Sequence, residues 1–381
     1  MLRFLITVAV VALATSAEAA VRYEFTDLGS LPGYENSSAV DINNRGQVLV
    51  RIDNYSAHDS FMWTKEAGFS IISDPSGRVS AEEINDAGQI VGTIYGDASN
   101  RPFILTPEAG LNILSPLIGE GAAINNLGQI AGSFNGYSFS QTRFESRIFR
   151  YGPPFVSPNN ASGGFVQANV EGINDVGQIV GYGYTGLAFH AFLWTEGSGF
   201  QDLGYLPGGY DYSHAMAVNS AGQVVGQGSS ADHGVRPFLW TAIGGMQDLG
   251  TLFGGAYGSA NAINEAGYVV GYGVDGEGND RAVLWAPDAN GPVDLNLLAN
   301  TGPWELRSAS AINDLGQIVG YMGYGGDDEI EHAFLLTPIA SVPEPSSWAL
   351  LITGFGLVGG SLRVRDRRRL SSSGHRQARL A

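Results

Sequence analysis

One seven-residue phrase recurs seven times along the chain. The first copy is Ile42-Asn43-Asn44-Arg45-Gly46-Gln47-Val48, and the others begin at Ile84, Ile124, Ile173, Val218, Ile263 and Ile312. The spacings are 42, 40, 49, 45, 45 and 49 residues. A repeat of that length marks an array of similar structural units, each too small to bury its own apolar faces alone. A residue found in every unit is needed to build the unit rather than to do chemistry once.

The phrase reads as a β-hairpin. An apolar stretch runs into Asn-x-x-Gly and out through Gln-Ile-Val or a close variant. Asn favours the first position of a type I turn, and glycine takes the left-handed conformation of the bulge that often follows it. Asn and Gly are the two residues identical in all seven copies, as in Asn174 and Gly177. A third strand is predicted at aromatic-apolar runs such as Ala191-Phe192-Leu193-Trp194 and Pro237-Phe238-Leu239-Trp240. A fourth is predicted at Phe200-Gln201-Asp202-Leu203-Gly204 and Met246-Gln247-Asp248-Leu249-Gly250. The repeat region shows no sustained helical period.

Four-stranded units of this size match propeller blades. The two ends of the array complement one another. Phe25-Thr26-Asp27-Leu28-Gly29 is a fourth-strand sequence with no unit before it, and His332-Ala333-Phe334-Leu335-Leu336 is a third strand with no fourth after it. Pairing them closes a ring and removes two sheet edges. The expected fold is therefore an all-β, seven-bladed β-propeller closed by the N-terminal strand, with a short C-terminal apolar helix outside it. An open β-solenoid is the competing architecture.

The 381 residues include 44% hydrophobic and 15% charged, with no cysteine, which excludes disulfides, thiolate nucleophiles and cysteine metal sites. Residues 1–19 read as a secretory signal peptide: Arg3 starts it, an apolar run follows, and Ala17-Glu18-Ala19 offers small residues at a cleavage site. Residues 20–340 form the repeat domain. Residues 341–370 hold Pro343-Glu344-Pro345, an apolar stretch from Trp348 to Leu362, and an arginine cluster that includes Arg363, Arg365, Arg367, Arg368 and Arg369; residues 371–381 are a basic tail. Arginines after an apolar segment hold that end on the cytoplasmic side, so the repeats would face outward. A permanent single-span anchor is the alternative to a transient one. The repeat domain carries 12 basic and 34 acidic side chains, a net charge of −22. Such a surface repels nucleic acid and anionic lipid. It suits divalent cations or neutral and cationic glycans, or simply solubility.

The repeats resemble the HAF extracellular repeat family, on His190-Ala191-Phe192, His332-Ala333-Phe334, Asp202-Leu203-Gly204-Tyr205-Leu206-Pro207-Gly208-Gly209 and Ala217-Val218-Asn219-Ser220-Ala221-Gly222-Gln223. The resemblance implies a secreted repeat protein and supplies no catalytic residue. The C-terminus is similar to the PEP-CTERM sorting signal of Gram-negative bacteria, on Pro343, Glu344 and Pro345 followed by the apolar segment and Arg367, Arg368 and Arg369. That resemblance implies processing by an exosortase, transient passage through the inner membrane, a final place at the cell surface or outside it, and an association with exopolysaccharide and biofilm. Eleven residues, Ser371 to Ala381, continue past the arginines, where such signals usually stop.

No Gly-x-Ser-x-Gly, His-Glu-x-x-His or phosphate-binding glycine loop is present, and Lys65 is the only lysine. The expectation is a non-enzymatic binding module for exopolysaccharide or a surface partner. A secreted glycan-active hydrolase or lyase, and a purely structural matrix protein, are the alternatives. The candidate ligand contacts are aromatic residues of the connections opposite the Asn-x-x-Gly turns: Tyr137, Tyr182, Tyr184, Tyr210, Tyr212, Tyr272, Tyr321 and Tyr324. They would otherwise fill gaps between blades. No cofactor is expected beyond a calcium ion at Asp275, Glu277 and Asn279, a loop that imitates part of a calcium site but lacks the distal bidentate Glu. A solvated turn is the alternative there.

Overall fold

The computed structural model describes residues 22–339 apart from short internal segments, the longest being 137–144 and 152–164. Tyr23–Pro338 form one compact unit. Each copy of the repeated phrase is the hairpin between the first two strands of a sheet. In the first copy, Gly46 N–H donates to Asn43 O at 3.0 Å, and Asn43 N–H donates to Gln47 O at 3.2 Å. Gly46 has φ +73° and Gly177 φ +81°, the left-handed turn position at which a Cβ is strained.

The strands gather into seven antiparallel sheets ordered as a β-propeller, with almost no helix. Six sheets have four strands. The third unit has three: Gly119–Ile124, Ile130–Gly136 and Glu145–Tyr151. Seven equal blades are thus corrected to six complete four-stranded blades and one three-stranded sheet. The fourth strand expected after Tyr151 falls at residues 152–164, outside the described residues.

The last sheet runs Glu305–Ile312, Ile318–Tyr324, Ile330–Ile339 and then Arg22–Gly29. Its fourth strand comes from the other end of the chain, and His332 Nδ1 meets Asp27 Oδ1 at 3.0 Å. The same pair recurs inside the fourth unit, where His190 Nδ1 meets Asp202 Oδ2 at 2.9 Å.

The third strands show why the sheets stack in a ring. In Phe189–Thr195, Phe192 and Trp194 pack with Ala123 and Ala131 of the third unit, while Ala191 and Leu193 pack with Ala215 and Phe238 of the fifth. In Ile330–Ile339, Phe334 and Leu336 face the sixth unit; Ala333 and Leu335 face Ala39, Val48 and Phe61 of the first. Period-two alternation thus buries both faces of each sheet against a different neighbour.

Each innermost strand carries a bulge near its end, at Ala39/Asp41 in the first unit and Ala215/Ala217 in the fifth. The bulge crowds the second strand. A Cβ on Gly226 would lie 2.0 Å from His214 O, so glycine is required there by close approach.

Candidate functional site: an axial channel with two mouths

The seven turns meet around the axis. Asn43 donates from Nδ2 to Asn85 O of the next unit at 2.9 Å. Asn85, Asn125, Asn174, Asn219 and Asn264 each repeat the bond to the following unit, and Asn313 returns it to Asn43 O at 2.9 Å. Each amide also donates inside its own turn or accepts turn N–H groups there; Asn43 Oδ1 takes Arg45 N–H and Gln47 N–H. All seven asparagines are buried. Sequence reasoning assigned them to the turn alone. The bond between units was missed because nothing in the spacing says that the turns face one another.

The next residue of each turn forms the rim. Asn44 N–H donates to Asp86 Oδ1, Asp86 N–H to Asn126 Oδ1, and Asn126 N–H to Asp175 Oδ1, each at 2.8 Å. Ser220 and Glu265 continue the pattern through Glu265 and Asp314, and Asp314 N–H donates to Asn44 Oδ1 at 2.8 Å. Four carboxylates, Asp86, Asp175, Glu265 and Asp314, therefore share this mouth. They border a cavity of about 170 Å³.

Asp41 and Glu83 stand deeper in the channel wall and also line a second cavity of about 240 Å³ beyond it. Asp41 Oδ2 accepts Ile84 N–H at 2.8 Å, and Glu83 Oε2 accepts Ile124 N–H at 2.6 Å. Each carboxylate thus reaches the innermost strand of the following unit. Burial pushes Asp41 up to about 6 against the pull of its two backbone donors, with the Asp86 charge adding. Burial, then the Asp41 charge, pushes Glu83 well above the ordinary carboxylate range. One signal in the sequence pointed to this pair. The equivalent positions in the other units are Ala123, Gly172, Ala217, Ala262 and Ala311, so Asp41 and Glu83 are where the repeat is broken.

The opposite mouth holds part of the expected aromatic set. Tyr182, Tyr272 and Tyr321 occupy one register position on the second strands, opposite Asn169, Ser259 and Ser308. They are half-buried strand residues rather than loop residues. Tyr182 stacks edge-on to His214 with ring centroids 4.2 Å apart, and His214 Nε2 meets Glu171 Oε1 of the preceding unit at 3.0 Å. Tyr212 accepts Gln227 Nε2 on its hydroxyl at 3.2 Å. Burial raises the Tyr272 hydroxyl, with Asp280 and Tyr212 adding; burial raises Tyr321, with Asp280 and Glu331 adding. The Tyr272 and Tyr321 hydroxyls therefore keep their protons at neutral pH. Tyr184 lies two residues along the same strand as Tyr182 and shares its contact with Phe189, whereas Tyr210 and Tyr324 are not gathered with them. Tyr184 donates to Gly186 O and packs on Phe189, Tyr210 is exposed, and Tyr324 packs on Trp304. Tyr137 lies outside the described residues, as do Pro343, Glu344, Pro345, Arg367, Arg368 and Arg369. Among the described residues no helix is long and apolar enough to cross a membrane.

The Asp275 and Asn279 side chains of the calcium expectation are engaged within the protein. Asp275 Oδ1 accepts Glu277 N–H and Asn279 N–H, and Oδ2 accepts Arg281 Nε at 2.9 Å. The Asn279 N–H, assisted by Arg281, holds the Asp275 carboxyl well below its ordinary range. Arg281 also pairs with Glu305 at 3.1 Å. The Arg281 guanidinium is the cation that Asp275 pairs with. Among the described residues no group of three or more His, Asp and Glu side chains is arranged to hold a metal ion.

No family model matches the chain, and no curated protein matches it. Solved structures similar to it include TolB from Acinetobacter baumannii (9% identity, 81% of this chain, TM-score 0.45), of which the chain spans 65%. The β-propeller domain of the Trilobed protease from Pyrococcus furiosus is 9% identical, over 81% of this chain and 100% of that one, with a TM-score of 0.49. Virginiamycin B lyase from Staphylococcus aureus is 12% identical, over 83% and 100%, with a TM-score of 0.46. None of them supplies a residue to carry across, and the site stands on its own geometry.

Proposed function

We propose that the chain is an exported, matrix-facing propeller that binds exopolysaccharide without turning it over. The observation that carries this reading is the recurrence of Tyr182, Tyr272 and Tyr321 at one register position, around the mouth that also holds Tyr212, His214 and Glu171. Flat rings with hydroxyls, set among carboxylates, suit the apolar face and hydroxyl rim of a sugar. The HAF-like repeats and the PEP-CTERM-like end support export, exosortase processing and transient contact with the inner membrane. The net charge of the repeat domain argues against a nucleic-acid partner. The test is affinity electrophoresis of the full chain in gels containing neutral or acidic bacterial polysaccharide. Tyr272→Ala with Tyr321→Ala should abolish the retardation while leaving the unfolding midpoint within a few degrees; unchanged retardation overturns the reading.

A second reading has one observation in its favour. Asp41 and Glu83 form a carboxyl pair with raised proton affinity inside a channel, the arrangement a glycan-active enzyme uses for proton transfer. Both groups are also engaged by backbone N–H donors of the next unit, which a structural role alone explains. Turnover of a polysaccharide by the wild type that is lost in Glu83→Gln would establish the enzyme and displace the binding module.

A further inference from the structure

A cavity of about 290 Å³ opens at the seam between the first and second units, lined by Arg51, Ser60, Arg78, Ser80, Glu82 and Tyr95. Its size approaches the lower end of small-molecule sites. Arg51 stands opposite Ser38 on the second strand, at the register position that carries tyrosine in the fourth, sixth and seventh units. The cavity therefore lies at the same level of its seam as the tyrosines do in theirs, with a cation substituted for a ring.

Its charge is unusual for this protein. The repeat domain has 12 basic side chains against 34 acidic ones, and two of the twelve converge here. Arg51 Nη2 reaches Ser80 Oγ at 3.4 Å and Glu82 Oε2 only at 3.7 Å, so most of its five donors are unspent. Arg78 lies over the Tyr95 ring, 5.2 Å from its centroid, and among the described residues no carboxylate pairs with it. Ser80 donates to Glu82 Oε1 at 2.6 Å, which fixes that carboxylate. Ser60 belongs to the floor, since its hydroxyl donates to Val79 O and accepts Ala81 N–H.

We propose that this seam cavity is a subsite for a carboxylated sugar, a uronate unit of a polysaccharide. The ligand would place its carboxylate against the guanidinium groups of Arg51 and Arg78, its ring face near Tyr95 and a hydroxyl on Glu82. Guanidinium donors match a carboxylate in a planar, two-pronged way. Glu82 selects against a bare sulfate, which brings charge and no hydroxyl to donate; phosphate keeps an O–H near neutral pH and is told apart by direct competition. The proposal deepens the binding role given above, because it names the sugar class that this level of the propeller takes.

The test is titration calorimetry of the full chain with oligogalacturonate, with the neutral oligogalactose of equal length, and with inorganic phosphate. Oligogalacturonate should bind at least tenfold more tightly than the neutral oligomer. Arg51→Gln and Arg78→Gln should each weaken it roughly tenfold to hundredfold, the scale of one charge-assisted hydrogen bond. Arg78 is exposed, so Arg78→Gln should keep the parent unfolding midpoint and serves as the variant that cannot fail by misfolding. Equal binding of the two oligomers, indifference to both substitutions, or displacement by phosphate as effective as by oligogalacturonate would overturn the subsite. Retained Tyr272- and Tyr321-dependent binding of neutral polysaccharide in that event leaves the binding module standing; loss of both removes it as well.

Discussion

Asn313→Ala tests whether the ring is closed. The Asn313 amide makes four hydrogen bonds: to Asn43 O at 2.9 Å, to Gln317 Oε1 at 2.8 Å, and from Leu315 N–H and Gln317 N–H at 3.1 and 2.9 Å. Each is worth about 0.5–1.5 kcal/mol net, which gives about 2–6 kcal/mol for the set. Water entering from the channel mouth recovers part of that at the vacated amide, so the expected loss is about 3 kcal/mol. Asn85→Ala is the reference, because Asn85 makes the same four bonds, three inside its own turn and one to the unit that follows it in sequence. The assay is urea unfolding followed by tryptophan fluorescence, since Trp194, Trp240 and Trp285 are buried in third strands. If the first and last units are joined as the others are, the two variants lose stability equally, with unchanged m-values. An Asn313→Ala loss smaller than the Asn85→Ala loss by about 1 kcal/mol, the worth of the one bond that crosses to Asn43, would refute closure.

Three further outcomes follow from the same geometry. Deleting Arg22–Gly29 removes the buried side chains of Tyr23 and Leu28, each worth about 1.5–3 kcal/mol, and bares the strand Ile330–Ile339; thermal unfolding should fall for the whole domain, and a parental midpoint would contradict the strand exchange. Gly226→Ala should cost about 1–3 kcal/mol, the usual range for overpacking, because its Cβ meets a backbone carbonyl rather than a movable side chain; a neutral result would mean the bulge gives way. Asp41 and Glu83 have folded-state proton affinities above their unfolded values, so the native chain holds more protons from about pH 4 upward and stability falls as pH rises through that window. Glu83→Gln should therefore gain stability most at about pH 8 and least near pH 4; a gain independent of pH would remove the channel acid as its cause.

The parts of this fold legible in the sequence are those written locally. Asn174 and Gly177 announce their turn because both residues act within four positions. The exchange of ends is legible because Asp27-Leu28-Gly29 and His332-Ala333-Phe334 each carry half of a pattern that Asp202 and His190 carry whole. The site is less legible. Tyr182, Tyr272 and Tyr321 were identified, but as loop residues, because the length of each second strand was read too short. Arg51 escaped notice because its significance lies in what replaces it elsewhere in the register. The calcium expectation took no account of Arg281, which follows Asn279 by two residues and reaches back to Asp275. A partial match to a calcium loop suggested a cation site, and only the side-chain direction shows that Asp275 is paired with the protein's own Arg281.

The exchange of ends also sets a timetable. His332 and Asp27 are 305 residues apart in sequence, and a chain made from its N-terminus presents Arg22–Gly29 first. That strand waits through the production of every other unit before its partner exists. Contacts of such separation carry a large loop-closure cost and slow folding. The intermediate with most units formed has one unpaired strand at each end, the surface most prone to associate with another copy. Keeping that intermediate apart from its neighbours, rather than forming any single blade, is the step on which the yield of folded protein depends.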